Sequence, residues 1–131
     1  MVIDQIFLDA RTAEAKVNPR LRQAYDMRTS AEDSSQRMFN AMEPGTVLPI
    51  HRHVTTDETV VCVRGRVREV FYDENGNETE SFILEPNGEN VAIQVPKGAW
   101  HSLECLESGS VIFEAKDGAY KPIEEKDILN K

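Results

Sequence analysis

After position 36 the chain is broken into short apolar runs, and no 12-residue stretch there carries the apolar stripe of a helix. The runs are SQRMFNAM, Thr46 to Ile50, TVVCVRG, VREVFY, ESFILE, NVAIQVP, HSLECLE and SVIFEAK. Turn formers stand between them: Pro44-Gly45, Asp73 to Asn77, Pro86 to Gly88, Lys97-Gly98 and Ser108-Gly109. Short strands recurring about every ten residues with turns between them predict a β-sandwich or barrel. Asn75-Gly76, between VREVFY and the next apolar run, is the strongest hairpin signal in the chain.

The flanks read differently. Asp9 to Val17 is rich in helix formers and is closed by Asn18-Pro19, which predicts a short helix with a stop. Residues 28–35 (RTSAEDSS) are a polar loop. The expected organisation is a single domain: a helical and extended lead-in over 1–35, a barrel over 36–116 and a charged tail over 117–131 that could add a terminal helix. A length of 131 residues leaves room for one domain, not two. With 40% hydrophobic and 29% charged residues, the chain can fold around a core. Its 15 Lys+Arg against 23 Asp+Glu give a formal charge of -8, which repels phosphate backbones and anionic lipid heads. Neither nucleic acid nor membrane is an expected partner. The start of the sequence lacks a basic segment followed by an apolar block, so a cytoplasmic location is expected. In that reducing setting Cys62 and Cys105, each within an apolar run, are expected to be buried free thiols.

The chain has three histidines, at 51, 53 and 101. His51 and His53 are two apart on an expected strand, so period-two alternation turns both imidazoles to one side. Glu58 follows a Thr-Thr-Asp break and opens the next strand, where a hairpin would bring it back beside the pair. His101 begins a strand after Pro96-Lys-Gly98. If segments 46–54 and 101–106 face each other across a barrel, three imidazoles and one carboxylate converge. Such a set suits Fe, Mn, Co, Ni or Zn as a divalent ion, and four protein ligands on a six-coordinate ion leave positions open for a ligand. A single His on an apolar strand is more often a satisfied core residue. Here the whole histidine inventory falls at ligand-compatible positions, which favours the metal.

Gly45, His51, His53, Glu58 and Gly65 are spaced as in the first cupin motif, G-x5-H-x-H-x3,4-E-x6-G, and Pro96, Gly98 and His101 resemble the core of the second. Two positions depart from that pattern: Asn90 stands where the second motif has glycine, and Cys105 where it has asparagine. The resemblance implies a double-stranded β-helix, or jelly-roll barrel, often dimeric, with a metal held by His51, His53, Glu58 and His101. Asn18 to Arg22, Ser35 to Ala41 and Phe113 to Tyr120 extend the likeness to the WbuC family, cupin-fold metalloproteins whose genes accompany surface-polysaccharide biosynthesis. The chain departs from WbuC at Gln23 to Met27 and at Ala119.

Arg37, Asn40, Glu114 and Tyr120 are the candidate substrate contacts. Arg37 would clamp a carboxylate or phosphate, or lay its stem along a sheet edge. In a regular strand Asn40 falls on the opposite face from it. Arg52 and Trp100 should point away from the metal. On the Glu58 strand, Val60 and Cys62 continue inward while Thr59, Val61 and Val63 point outward; apolar residues on both faces imply cover by a second sheet or a partner copy, hence an expected homodimer. The main functional expectation is a metal-dependent isomerase, epimerase or lyase acting on a small carbohydrate-derived substrate. The alternatives are a non-catalytic sugar or sugar-acid binding protein, an Fe(II) dioxygenase, or an inert barrel with a structural metal.

Overall fold

The computed structural model describes residues 1–129. One helix, α1 (Gln5–Val17), precedes eight strands: β1 (Arg22–Asp26), β2 (Ser35–Met42), β3 (Glu58–Arg64), β4 (Val67–Tyr72), β5 (Glu78–Leu84), β6 (Ala92–Val95), β7 (Trp100–Cys105) and β8 (Ser110–Asp117). They form a five-stranded sheet in the order β1-β2-β8-β3-β6 and a three-stranded sheet in the order β5-β4-β7, with antiparallel neighbours throughout. This is an all-β jelly-roll with a short N-terminal helix.

Alternation along the strands splits the space between the sheets into two ends. At one end Met42, Cys62 and Ile112 meet Val67, Leu84, Leu103 and Cys105 in a single apolar cluster. At the other, register places Gln36, Glu114, Lys116 and Glu58 on the same inward face, opposite Glu69 and His101 of the second sheet. The apolar end closes the barrel; the polar end is its lumen.

The lead-in is more structured than its sequence suggests. The Asp4 carboxylate accepts a hydrogen bond from Phe7 N at 2.9 Å, so α1 starts at Gln5 rather than Asp9. Leu8 and Ala15 then pack on Ala41 and Val111, with Phe7, Phe39 and Val63 around them. Arg64 fixes the helix to the barrel, its Nη1 2.8 Å from Asp9 Oδ1 and its Nη2 2.9 Å from Thr12 Oγ1. Thus α1 covers part of the outward apolar face that suggested a partner copy. Elsewhere on that outward face Arg37, Thr59, Gln94 and Phe113 line an open groove of about 560 Å³. Strand β1, pairing in register with β2, had no apolar signal because it is an edge strand of mixed polarity.

Thr46 to Ile50 is an extended loop rather than a strand, with Gly45 at φ 101° before it and Pro49, which has no N–H to give, within it. Among the described residues the tail makes a single 3-10 turn, Glu125–Asp127, after which Ile128 pairs with His51. No helix among the described residues is long and apolar enough to cross a membrane.

Candidate metal centre

His51 and His101 are neighbours rather than partners across the barrel. Their backbones exchange both hydrogen bonds, His51 N to His101 O at 3.0 Å and His101 N to His51 O at 2.9 Å. The reason is that 50–52 extends the three-stranded sheet beyond β7 instead of belonging to the opposite sheet. His53 lies two residues on and faces the same way. The three rings stand with centroids 4.4 Å (51 to 101), 5.1 Å (51 to 53) and 5.8 Å (53 to 101) apart. One ring nitrogen from each lies within 4.8 Å of the others.

Two of the rings are oriented from behind. His51 Nδ1 is 2.9 Å from Pro49 O. A carbonyl only accepts, so Nδ1 carries the proton and Nε2 keeps its lone pair. His101 Nδ1 is 2.6 Å from Glu69 Oε1. Nε2 of His53 and of His101 are buried with no hydrogen-bond partner. A buried polar nitrogen left unsatisfied costs about 1–3 kcal/mol, so a set of them turned to one point is what a bound cation would satisfy. The donor set therefore fits a divalent metal.

Burial also keeps the His51 and His101 imidazoles neutral, which coordination requires. It lowers His51, with help from a neighbouring His101 charge, to about 4, and it lowers His101 to about 4. For Glu69, burial and then the nearby Glu58 charge push the carboxyl up to about 9. Burial would raise Glu58 as well, but His53 and the Lys116 ammonium hold it below the ordinary carboxylate range. Glu58 Oε2 is 3.0 Å from Lys116 Nζ and 3.3 Å from His53 Nε2. The second approach is not a hydrogen bond, and His53 Nε2 is left without a hydrogen-bond partner. The structure thus brings the three histidines together and sets Glu58 at their margin, beside His53 and turned toward Lys116.

The other candidates divide. Asn40 and Glu114 lie on the inward face of β2 and β8, Asn40 with its Oδ1 buried and unpartnered, Glu114 half-buried and raised by burial and by Glu58. Arg37 lies on the outward face, where its guanidinium is occupied by Asp33 Oδ2 (3.2 Å), Ser35 O (2.6 Å) and Met27 O (3.0 Å). Tyr120 is 54% exposed and sits under the Arg28 guanidinium, outside the barrel. Arg52 points away from the histidines and stacks on Trp100, 4.4 Å from ring centroid to guanidinium carbon. Cys62 and Cys105 are buried free thiols within the apolar cluster.

Sequence reading missed Glu69 and Lys116. Glu69 did leave a trace, a charge at the inward position between Val67 and Phe71 of an apolar strand. Lys116 left none, because only the β3–β8 register sets it against Glu58.

Two packed antiparallel sheets with histidines gathered at one end of the lumen define a cupin fold, and solved structures bear that out. KdgF from Halomonas sp. superposes with a TM-score of 0.62 at 18% identity, over 79% of this chain and 85% of KdgF. An oxalate oxidase in complex with the substrate analogue glycolate gives 0.65 at 14% identity, over 82% of this chain and 56% of that one. The capsular polysaccharide assembling protein CapF from Staphylococcus aureus gives 0.62 at 23% identity, over 86% of this chain but 32% of CapF. At these identities the likeness is one of fold. Within that fold class, residues 3–84 match the family described as a domain of unknown function, DUF6016, and the chain belongs to that family. No curated protein matches the sequence.

Proposed function

We propose that the barrel holds one divalent metal through His51, His53 and His101, with Glu58 as the adjacent carboxylate, and acts there on a small polar carbohydrate-derived substrate by isomerase, epimerase or lyase chemistry. The observation that carries this reading is the pair of buried, unpartnered Nε2 atoms of His53 and His101 turned into the same cluster as His51. A bound ion would supply Lewis acidity toward a carbonyl or hydroxyl oxygen.

The chain's own groups complete the site. Pro49 O and Glu69 hold the His51 and His101 rings in place. Lys116 balances the charge of Glu58. Asn40 Oδ1 is free to accept from a ligand hydroxyl, and the Glu114 carboxyl, kept protonated by its surroundings, can give a proton to a ligand oxygen or take one back. A lumen that pairs a hydroxyl acceptor with a proton-bearing carboxyl suits a polyhydroxylated ligand. The fold shared with a capsular polysaccharide assembling protein, and the motif likeness to WbuC, support a link to surface-polysaccharide biosynthesis.

Elemental analysis of purified protein tests the site. Wild type should carry close to one divalent ion per chain, and His51→Ala and His101→Ala should each lose most of it; both variants retaining full metal overturns the assignment. Metal-loaded protein is then assayed against sugar nucleotides and keto-sugars. Conversion supports an enzyme, whereas saturable thermal stabilisation without conversion supports a binding protein.

A further inference from the structure

His51 and His53 sit on a segment that belongs to no regular strand, and its backbone is gripped from two sides. On one side lies β7, through the paired hydrogen bonds between His51 and His101, while Gly98 N donates to His53 O at 2.7 Å. On the other lies the strap of residues 125–129: Arg52 N donates to Asp127 O at 3.1 Å and Leu129 N to Ile50 O at 2.8 Å. The side chain between the two histidines fastens this second grip. Arg52 Nε lies 2.8 Å from Asp127 Oδ1, its guanidinium covers Trp100, and the Asp127 side chain is 7% exposed. Paired on both edges, residues 51–53 alternate as a strand would, with Arg52 outward over Trp100 and the His51 and His53 rings inward.

We propose, resting on the metal-binding reading above, that the 125–129 strap, locked by the Arg52–Asp127 pair over Trp100, is the positioning element of the histidine cluster. It fixes the roll of the 51–53 backbone about its own axis, and so aims two of the three imidazoles. Arg52, Asp127 and Trp100 touch none of the histidine ring nitrogens; they act through the backbone. Linkage makes the effect reciprocal: if the docked strap favours the ion, the ion favours the docked strap by the same factor.

Zinc affinity, measured by competition with a chromophoric chelator, separates this role from a merely structural one. Asp127→Ala and Arg52→Met should each bind zinc about 10-fold more weakly than wild type, and Asp127→Glu should recover part of the loss. Variants that lose thermal stability in the metal-free form yet bind zinc as tightly as wild type overturn the positioning role and leave the metal reading standing. A wild type that takes up none of zinc, iron(II), manganese, cobalt or nickel overturns both. Where Asp127→Ala does not fold, hydrogen exchange of the wild type decides. The Arg52 and Leu129 amides should exchange about 10-fold more slowly in saturating zinc than after chelator treatment, as the same linkage requires. Unchanged rates refute the coupling.

Discussion

Replacing Glu69 by Gln should have opposite effects with and without metal. The carboxyl is 1% exposed and 2.6 Å from His101 Nδ1. Burial raises it from 4.5 to about 9, so its folded-state affinity for a proton exceeds that of the unfolded chain. A group shifted that way contributes its full stability below the unfolded value and loses it as pH climbs toward the folded one. The window is therefore 4.5 to about 9, with a slope of about 1.4 kcal/mol per pH unit. Between about pH 5.5 and about pH 7.5 this amounts to at most about 2.7 kcal/mol, and the His101 contact offsets part of it. Glutamine keeps the shape and an acceptor oxygen for the His101 N–H but does not titrate. In urea unfolding of chelator-treated protein, Glu69→Gln should therefore gain on wild type by about 1–3 kcal/mol over those two pH units. Metal binding at Nε2 places the proton on Nδ1 and favours a charged partner behind it. The same variant should accordingly bind zinc about 10–100-fold more weakly. A stability difference that is the same at both pH values, or zinc affinity equal to wild type, would refute the account of Glu69 as a buried carboxyl oriented on His101.

Two further outcomes concern the scaffold. Gly65 turns β3 into β4 at φ 84°, and a Cβ there would stand 2.6 Å from Ser110 Cα and closer still to Ser110 Oγ. Gly65→Ala should cost about 3 kcal/mol, combining the left-handed backbone with overpacking against a neighbouring strand, as read from the urea midpoint. Arg64→Ala removes the bonds to Asp9, Thr12 and Gly109 O that dock α1. It should destabilise the helix by about 1–2 kcal/mol and speed hydrogen exchange at residues 5–17 while the β3 and β8 amides stay protected. Equal loss of protection in helix and barrel would contradict an independently docked α1.

Most strands were legible because each is a local pattern. SQRMFNAM is β2 residue for residue, VREVFY is β4, and the runs around TVVCVRG, ESFILE, HSLECLE and SVIFEAK match β3, β5, β7 and β8 to within a few positions. Local pattern and tertiary pairing part company at three places. Thr46 to Ile50 looks strand-like but carries Pro49 and finds no continuous partner, whereas the polar RQAYD becomes β1 because β2 offers it a free edge. The tail, charged and helix-like in composition, spends its backbone on residues 50–52 instead. The same split runs through the site. His51 and His53 shared a face by alternation alone, whereas His101 was tied to them by a supposed meeting across the barrel and by the motif; the backbone pairing of His51 with His101 is what brings them together.

The amino-acid sequence by itself determined the all-β architecture, the inward set of the Glu58 strand and the identity of the nitrogen donors, since these depend on residue type and on spacings of a few positions. The tertiary structure decided what stands behind and beside those donors: Glu69 against His101, 32 residues apart in the chain, Lys116 against Glu58, 58 apart, and Asp127 on Arg52, 75 apart. Contacts of that span are set by strand register and sheet packing, and no local periodicity encodes which distant partner a side chain meets.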